Sequence, residues 1–381
     1  MFRRITLLFL ALFISVNVKA SDVLANEYKV TKINQRVFVI TQTWSEKFKA
    51  NMGVVIGDDG LLLINTMMLR DVKKLELELR RLADKPVKYV INSNWDTYNV
   101  QANEYFAQKG AIIIAQEDNQ FWPVHRQLLF KNQFSLRLGG EDVIAYKTKA
   151  HSFGHVNVHL PSANVIFMAD SYRNDWMTVA GPYGLEGHLQ GIESAVVRSD
   201  ENTIIVPGNT FNKPLSNLAD LKKEKYIRMT LKNMVTSLRE QGLSDKEVFE
   251  HNDVKQFFKK HYPDREFSAK SNVLKLINSE LKSPFYLSPS QIQKYEGKYQ
   301  SKSGEQIELK YDGKYFVAKS QNRFITTLLP ESINAFSFVT GTGGESFSFE
   351  LESDTQVSYL IPKLGDSYFG RLIPSGKWVK M

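Results

Sequence analysis

Four short segments hold the side chains best suited to chemistry, each placing a polar cluster directly after an apolar run: Asn92-Ser93-Asn94-Trp95-Asp96-Thr97-Tyr98-Asn99, Ala150-His151-Ser152-Phe153-Gly154-His155, Ala169-Asp170-Ser171 and Val206-Pro207-Gly208-Asn209. Imidazole beside carboxylate can hold a divalent metal ion or move a proton. The chain has no cysteine, so any metal must rest on His, Asp, Glu or Asn. The residues alone leave two readings of His151 and Asp170 open: metal ligands, or groups held by hydrogen bonds in a polar pocket. Ser93 and Ser152 fall near His151, but the chain has no Gly-x-Ser-x-Gly elbow to activate a serine.

These segments need elements to aim them. Val37–Ile40 and Val54–Ile56 read as strands, Gly57-Asp58-Asp59-Gly60 as a tight turn and Leu61–Ile64 as the returning strand. A helix is expected over about Leu69–Ala83, with Leu75, Leu77, Leu79 and Leu82 as its apolar side, stopped by Asp84-Lys85-Pro86. Strand Val87–Ile91, a helix near Ala102–Gln108 and strand Ala111–Ala115 follow, an alternation that predicts an α/β sheet with covered faces. After strand Val143–Tyr146, period two puts Val156, Val158 and Leu160 on a core face and His155, Asn157 and His159 on the other. Strands Val165–Ala169 and Thr203–Val206 deliver Asp170 and Asn209, and helices over about Leu218–Gln241 and Asp245–Lys260 would cover an outer face. The pattern predicts a sandwich of two sheets with a site along one edge.

The composition changes after Lys282-Ser283-Pro284. From Tyr295, short aromatic-rich strands alternate with turn signals at Ser303-Gly304, Asp312-Gly313, Gln321-Asn322, Gly341–Gly344, Ser353-Asp354 and Gly365-Asp366, which describes a small antiparallel barrel. The expected division is 1–20 leader, 21–284 sandwich and 285–381 barrel.

In order, spacing and strand context, the four polar segments resemble the metallo-β-lactamase superfamily, whose signature is a His-x-His-x-Asp-His motif followed by a His, a bridging Asp and a last His. Asp59-Gly60-Leu61-Leu62-Leu63-Ile64, Asn103-Glu104-Tyr105-Phe106, Leu160-Pro161 and the Val-Pro-Gly before Asn209 add to the likeness, which covers roughly 27–281. It implies an α+β fold, an αββα sandwich, with the C-terminal barrel resembling lipocalin-like domains. It also implies the ligand seats. Asn94 takes the first His position, Asp96 the second, Tyr98 the Asp, Asn99 the third His and Asn209 the last His. Only His151 and Asp170 match the family, and Asn65 stands where an Asp usually supports the ligands. One metal seat would then be Asn94, Asp96 and His151, the other Tyr98, Asn99 and Asn209, with Asp170 beside both. Amide carbonyls are weak zinc donors, so dinuclear zinc is not expected; the cofactor is none, or one weakly bound divalent ion on His151, Asp170 and Asp96. Hydrolysis in this family depends on a metal lowering the pKa of water from 15.7 to about 7. The resemblance places no ligand at His155 or His159, which are expected to be exposed or supporting. His125, His188, His251 and His261 read as surface or helix residues, and Trp95, Tyr98, Phe153, Trp176 and Tyr183 as cleft lining or core cover.

Met1-Phe2-Arg3-Arg4 followed by apolar Ile5–Val18 and Val18-Lys19-Ala20 predicts a secretory leader with the mature chain starting near Ser21, hence a periplasmic or secreted protein. Arg3, Arg4 and Lys19 belong to that leader, so the net charge of +8 becomes 8 − 3 = +5. With Lys and Glu well mixed and no basic stripe, nucleic acid is not an expected partner. No later apolar run is long enough to span a bilayer. The expected function is a non-catalytic pseudoenzyme that binds a small-molecule ligand or a periplasmic protein. The alternative is an ester, lactone, thioester or β-lactam hydrolase with one metal ion. The sequence is silent on oligomeric state.

Overall fold

The computed structural model describes residues 27–45, 48–119, 124, 126–152, 154–174, 177, 184–210, 213–263, 287–311, 316–320, 325–338, 346–354, 356–364 and 373–381. The leader, His125, Phe153, Trp176, Tyr183, the Lys282-Ser283-Pro284 boundary and the turns at 312–313, 321–322, 341–344 and 365–366 lie outside the described residues.

Seven strands run in spatial order through the first sheet: β1 (Glu27–Lys32), β2 (Val37–Ser45), β3 (Phe48–Ile56), β4 (Leu61–Ile64), β5 (Val87–Ile91), β6 (Ile112–Gln116) and β7 (Gln127–Phe130). From β4 to β7 the pairing is parallel, so the tips of β4 and β5 open at the same edge. The second sheet has the order β12-β11-β10-β9-β8, made of β8 (Gln133–Leu138), β9 (Glu141–Lys147), β10 (Val156–Leu160), β11 (Val165–Ala169) and β12 (Ile204–Pro207). A two-residue strand, β13 (Asn209–Thr210), crosses back to pair with β3 of the first sheet. β1, β7 and β8 were not expected because they bury little apolar surface: Gln133–Leu138 alternates polar and apolar residues but buries only Leu138.

Three apolar layers define the stacking. Val39, Leu62, Ile64 and Ile91 of the first sheet meet Val143, Val156, Val158 and Phe167 of the second in the central core. The first sheet's other face, with Met52, Leu61, Leu63 and Val90, is closed by Val72, Leu75 and Leu79 of α1 (Val72–Leu82) and by Phe106 of the short helix Asn103–Gln108. Ile166, Met168 and Ile205 of the second sheet lie under Ile192 and Ala195 of α2 (Gly184–Val196) and Leu221 of α3 (Leu218–Glu240). This is the αββα sandwich that was expected. Leu77 is 56% exposed, correcting its assignment to the apolar side: at 3.6 residues per turn the buried face runs Val72, Leu75, Leu79 and excludes position 77. The helix predicted over Asp245–Lys260 is two helices, Asp245–Glu250 and Asn252–His261, divided at His251, whose side chain caps the second.

Eight further strands, from Gly297–Gln300 to Trp378–Lys380, close into an antiparallel barrel around Tyr295, Tyr299, Phe336, Phe347, Phe349 and Trp378. The indole Nε1 of Trp378 donates to Pro374 O at 3.1 Å, so its buried polar atom is satisfied. Among the described residues no helix is long and apolar enough to cross a membrane.

Candidate functional site

The edge where the two sheets deliver their polar tips is built on unusual backbone. Ala169 leaves β11 with φ 44°, and Asn65 and Met67 leave β4 with φ 73° and 61°. Residues other than glycine hold such angles only where their surroundings impose them. For Ala169 those surroundings include Gly208, whose N–H donates to Ala169 O at 2.7 Å and to Tyr172 O at 3.2 Å. A Cβ at position 208 would lie 2.4 Å from the Ala169 carbonyl carbon, so only glycine lets the two loop backbones meet. From the first sheet, Asn51 donates through Nδ2 to Pro207 O at 2.9 Å, fixing the segment that carries Asn209. Asn65 Oδ1 accepts from Ser93 N at 3.0 Å and Ser93 Oγ at 2.8 Å, tying the β4 tip to the β5 tip. Ser93 is therefore a structural hydroxyl.

All seven candidate residues meet in one network whose centre is Asp170, fully buried. Its Oδ2 accepts from Asn94 Nδ2 at 2.7 Å and Asn99 Nδ2 at 3.2 Å. Its Oδ1 accepts from Asn209 Nδ2 at 2.9 Å, from the Tyr98 hydroxyl, and from Arg173 through Nε at 3.1 Å and Nη2 at 2.8 Å. At the outer side, His151 Nε2 lies 3.0 Å from Asp96 Oδ2, and the Tyr98 oxygen is 3.4 Å from the same carboxylate atom.

Arg173 was not singled out by the sequence reading. Its only signal was an arginine three positions after Asp170, in a segment where apolar or neutral polar residues would otherwise continue the turn. Burial alone would push the Asp170 carboxyl up; the Arg173 guanidinium, His151 and the Tyr98 and Asn94 hydrogen bonds outweigh it and hold the group well below the usual carboxylate range. Tyr98 moves the other way, pushed well above the usual phenol range by burial and by Asp170, so it is a neutral donor and no phenolate. Burial works against the charge on His151, but the Asp96 carboxylate outweighs it and raises the imidazole's pKa, while burial raises that of Asp96; the two groups titrate as a coupled pair.

The donor set can be weighed against the metals the family resemblance implies. Asp96, His151 and Asp170 form a group able to hold one metal ion, with one ligand atom from each lying within 4.8 Å of the others. A dinuclear zinc centre does not fit. Asn94 Oδ1, the carbonyl that would replace an imidazole, already accepts from Asn99 Nδ2 at 2.6 Å and Asp96 N at 3.0 Å. Asn99 and Asn209 turn their N–H groups, not their carbonyls, toward Asp170.

Two histidines outside this set are fully buried beside it. His155 is fully buried because α2 covers the face of β10 that was expected to be open; its Nε2 donates to Met168 O at 3.1 Å, and burial first, then His151, lowers its pKa to about 4. His188 lies in α2 and is also fully buried, with burial and then Arg228 holding it well below the usual imidazole range. Arg228 itself pairs with Glu224 at 2.8 Å, which accepts from Tyr262 at 2.9 Å, and Arg228 Nη1 reaches Ser171 O beside Asp170 at 3.4 Å. Trp95 is buried and covers core.

No protein-family model matches this chain, and no curated protein does. Similar solved structures include a metallo-β-lactamase from Pontibacter korlensis, 18% identical, with 53% of this chain and 99% of that one covered and a TM-score of 0.46. The metallo-β-lactamase DIM-1 is 17% identical, with 54% and 98% covered and a TM-score of 0.45. For the metallo-β-lactamase IND-7 the values are 16%, 52%, 98% and 0.45. The chain is thus similar to metallo-β-lactamases over about half its own length and nearly all of theirs.

Proposed function

We propose that this chain is a periplasmic or secreted metallo-β-lactamase-fold pseudoenzyme that binds a small-molecule ligand or a protein partner without turning it over. The observation that carries the reading is the direction of the amides: Asn94, Asn99 and Asn209 donate to Asp170, so side chains at the implied ligand seats satisfy a carboxylate internally. An amide that donates has its N–H aimed at the site and offers no lone pair there. Strained backbone at Ala169, Asn65 and Met67 supports a pocket that is held in shape for binding. The leader at 1–20 supports export, and the division into 21–284 and 285–381 assigns the barrel to a separate domain, lipocalin-like in architecture, that contributes ligand binding or oligomerisation.

A second reading is favoured by the proximity of Asp96, His151 and Asp170: one metal ion held by these three in a hydrolase of ester, lactone, thioester or β-lactam substrates. Elemental analysis of protein produced with zinc, manganese and iron supplied, paired with hydrolysis assays on those four substrate classes, separates the two. Substoichiometric metal and no turnover are expected. One ion per chain, lost in His151→Ala together with measurable turnover, would establish the hydrolase instead.

A further inference from the structure

Asp170 is an ionised carboxylate sealed from water, and such a group requires a cation or a saturating set of donors. In a metal-loaded site of this shape, the ion would supply the charge. Here the charge comes from Arg173, only 5% exposed, which brings two hydrogen bonds to Oδ1. Together with Tyr98, Asn94, Asn99 and Asn209 they bring six hydrogen bonds to a group with about four lone-pair sites. We infer that Arg173 is a built-in substitute for the metal: its guanidinium occupies the electrostatic place of a divalent cation, and it keeps such a cation out of a latent site formed by Asp96, His151 and Asp170. The inference rests on the metal-free reading above and extends it by naming the residue that enforces it.

The geometry says why the exclusion is effective. Zinc bonds of 2.0–2.2 Å at tetrahedral angles bring ligand atoms to about 3.4 Å of one another. Asp96 Oδ2 and His151 Nε2 are already 3.0 Å apart and Asp170 lies within 4.8 Å of them, so the closing-up that an ion requires falls to Asp170, which the Arg173 grip holds in place. The fixed positive charge also repels an incoming cation at short range. Without Arg173, Oδ1 would lose two of its four donors and keep Tyr98 and Asn209, which would then orient a coordinating carboxylate in the way supporting hydrogen bonds orient ligands elsewhere.

The test uses the full-length mature chain and zinc alone as probe. Zinc binding is measured by calorimetry and by the shift in melting temperature for the wild type, Arg173→Ala, Arg173→Lys, and Arg173→Ala combined with Asp170→Asn. Arg173→Ala should bind about one zinc ion per chain with at least about tenfold higher affinity than wild type, the gain expected from deleting a unit charge about 5 Å from a divalent ion even at the dielectric of water. Its melting temperature should rise with zinc. Arg173→Lys, which keeps a cation, should resemble the wild type, and the double variant should show no zinc response. A folded Arg173→Ala protein indifferent to zinc overturns the inference and leaves the metal-free reading standing. Stoichiometric zinc in the wild type overturns that reading instead. Should Arg173→Ala be isolated only unfolded, refolding with zinc but not with chelator supports the substitution of one cation for another, and failure in both overturns it.

Discussion

Arg173 and Asp170 sit three residues apart, and the two hydrogen bonds from the guanidinium to this carboxylate fall on a single oxygen, at 3.1 and 2.8 Å. The other oxygen is left to amides alone. Both partners are buried, so neither can be relieved by water when its mate is removed.

Removing either partner alone should therefore be severe. Arg173→Met or Asp170→Asn is expected to lower unfolding free energy by roughly 3–5 kcal/mol, the range for an orphaned buried charge. The double variant should lose much less than the sum. Urea denaturation of the four proteins forms the cycle, and additive losses would mean that the two groups are not energetically coupled.

Gly208→Ala should disturb the same network from the backbone. The new Cβ would fall 2.4 Å from the Ala169 carbonyl carbon and 2.8 Å from Asp170 N, both main-chain atoms that cannot swing aside. A loss of about 1–3 kcal/mol is expected, as for overpacking generally. Chemical denaturation would register it, and an unchanged stability would contradict the close approach.

The pH dependence follows from His155. Its folded pKa of about 4 lies below the ordinary 6.5, so between those values the unfolded chain binds the extra proton. Stability is thus intact above pH 6.5 and is lost as pH falls toward 4, by about 3 kcal/mol from this group. His188 shifts in the same direction and should deepen the decline. Asp170, held low, contributes only in more acidic solution. Denaturation curves at pH 7.5, 6 and 5 should show His155→Gln flattening the slope relative to wild type; parallel slopes would count against a buried neutral imidazole.

Trp378→Ala should act on the barrel alone. The indole is buried among barrel residues, and the barrel core shares no member with the sandwich cores. Truncation is expected to cost about 3–5 kcal/mol there. Differential scanning calorimetry should show one transition moving down while the other stays, and a common shift would argue that 21–284 and 285–381 unfold as one unit.

Much of the sandwich was legible because its strands carry strong apolar runs: Leu61–Ile64 and Val165–Ala169 are wholly buried, and their sequences contain nothing else. The strand at Gln133–Leu138 was not legible, since three of its six residues are polar, only Leu138 is buried, and its pairing with β9 is settled by main-chain bonds. The site followed the same division. Asn94, Tyr98, Asn99, Asp170 and Asn209 could be grouped because each ends a recognisable strand or motif. Which end of each amide faces inward could not, because that depends on a partner 39 to 76 residues away. Arg173 was missed for a related reason. A long basic side chain in a loop ordinarily reaches for solvent, and nothing in Ser171-Tyr172-Arg173-Asn174 shows that this one folds back.

Among the described residues, each carboxylate of the site has a basic partner within about 3 Å, Asp170 in Arg173 and Asp96 in His151, so little field escapes from these pairs. A diffusing ligand would feel no long-range pull toward the site. Its association should run at an unsteered rate of about 10⁵–10⁶ M⁻¹s⁻¹ and stay nearly constant as ionic strength is varied, leaving selectivity to residence time.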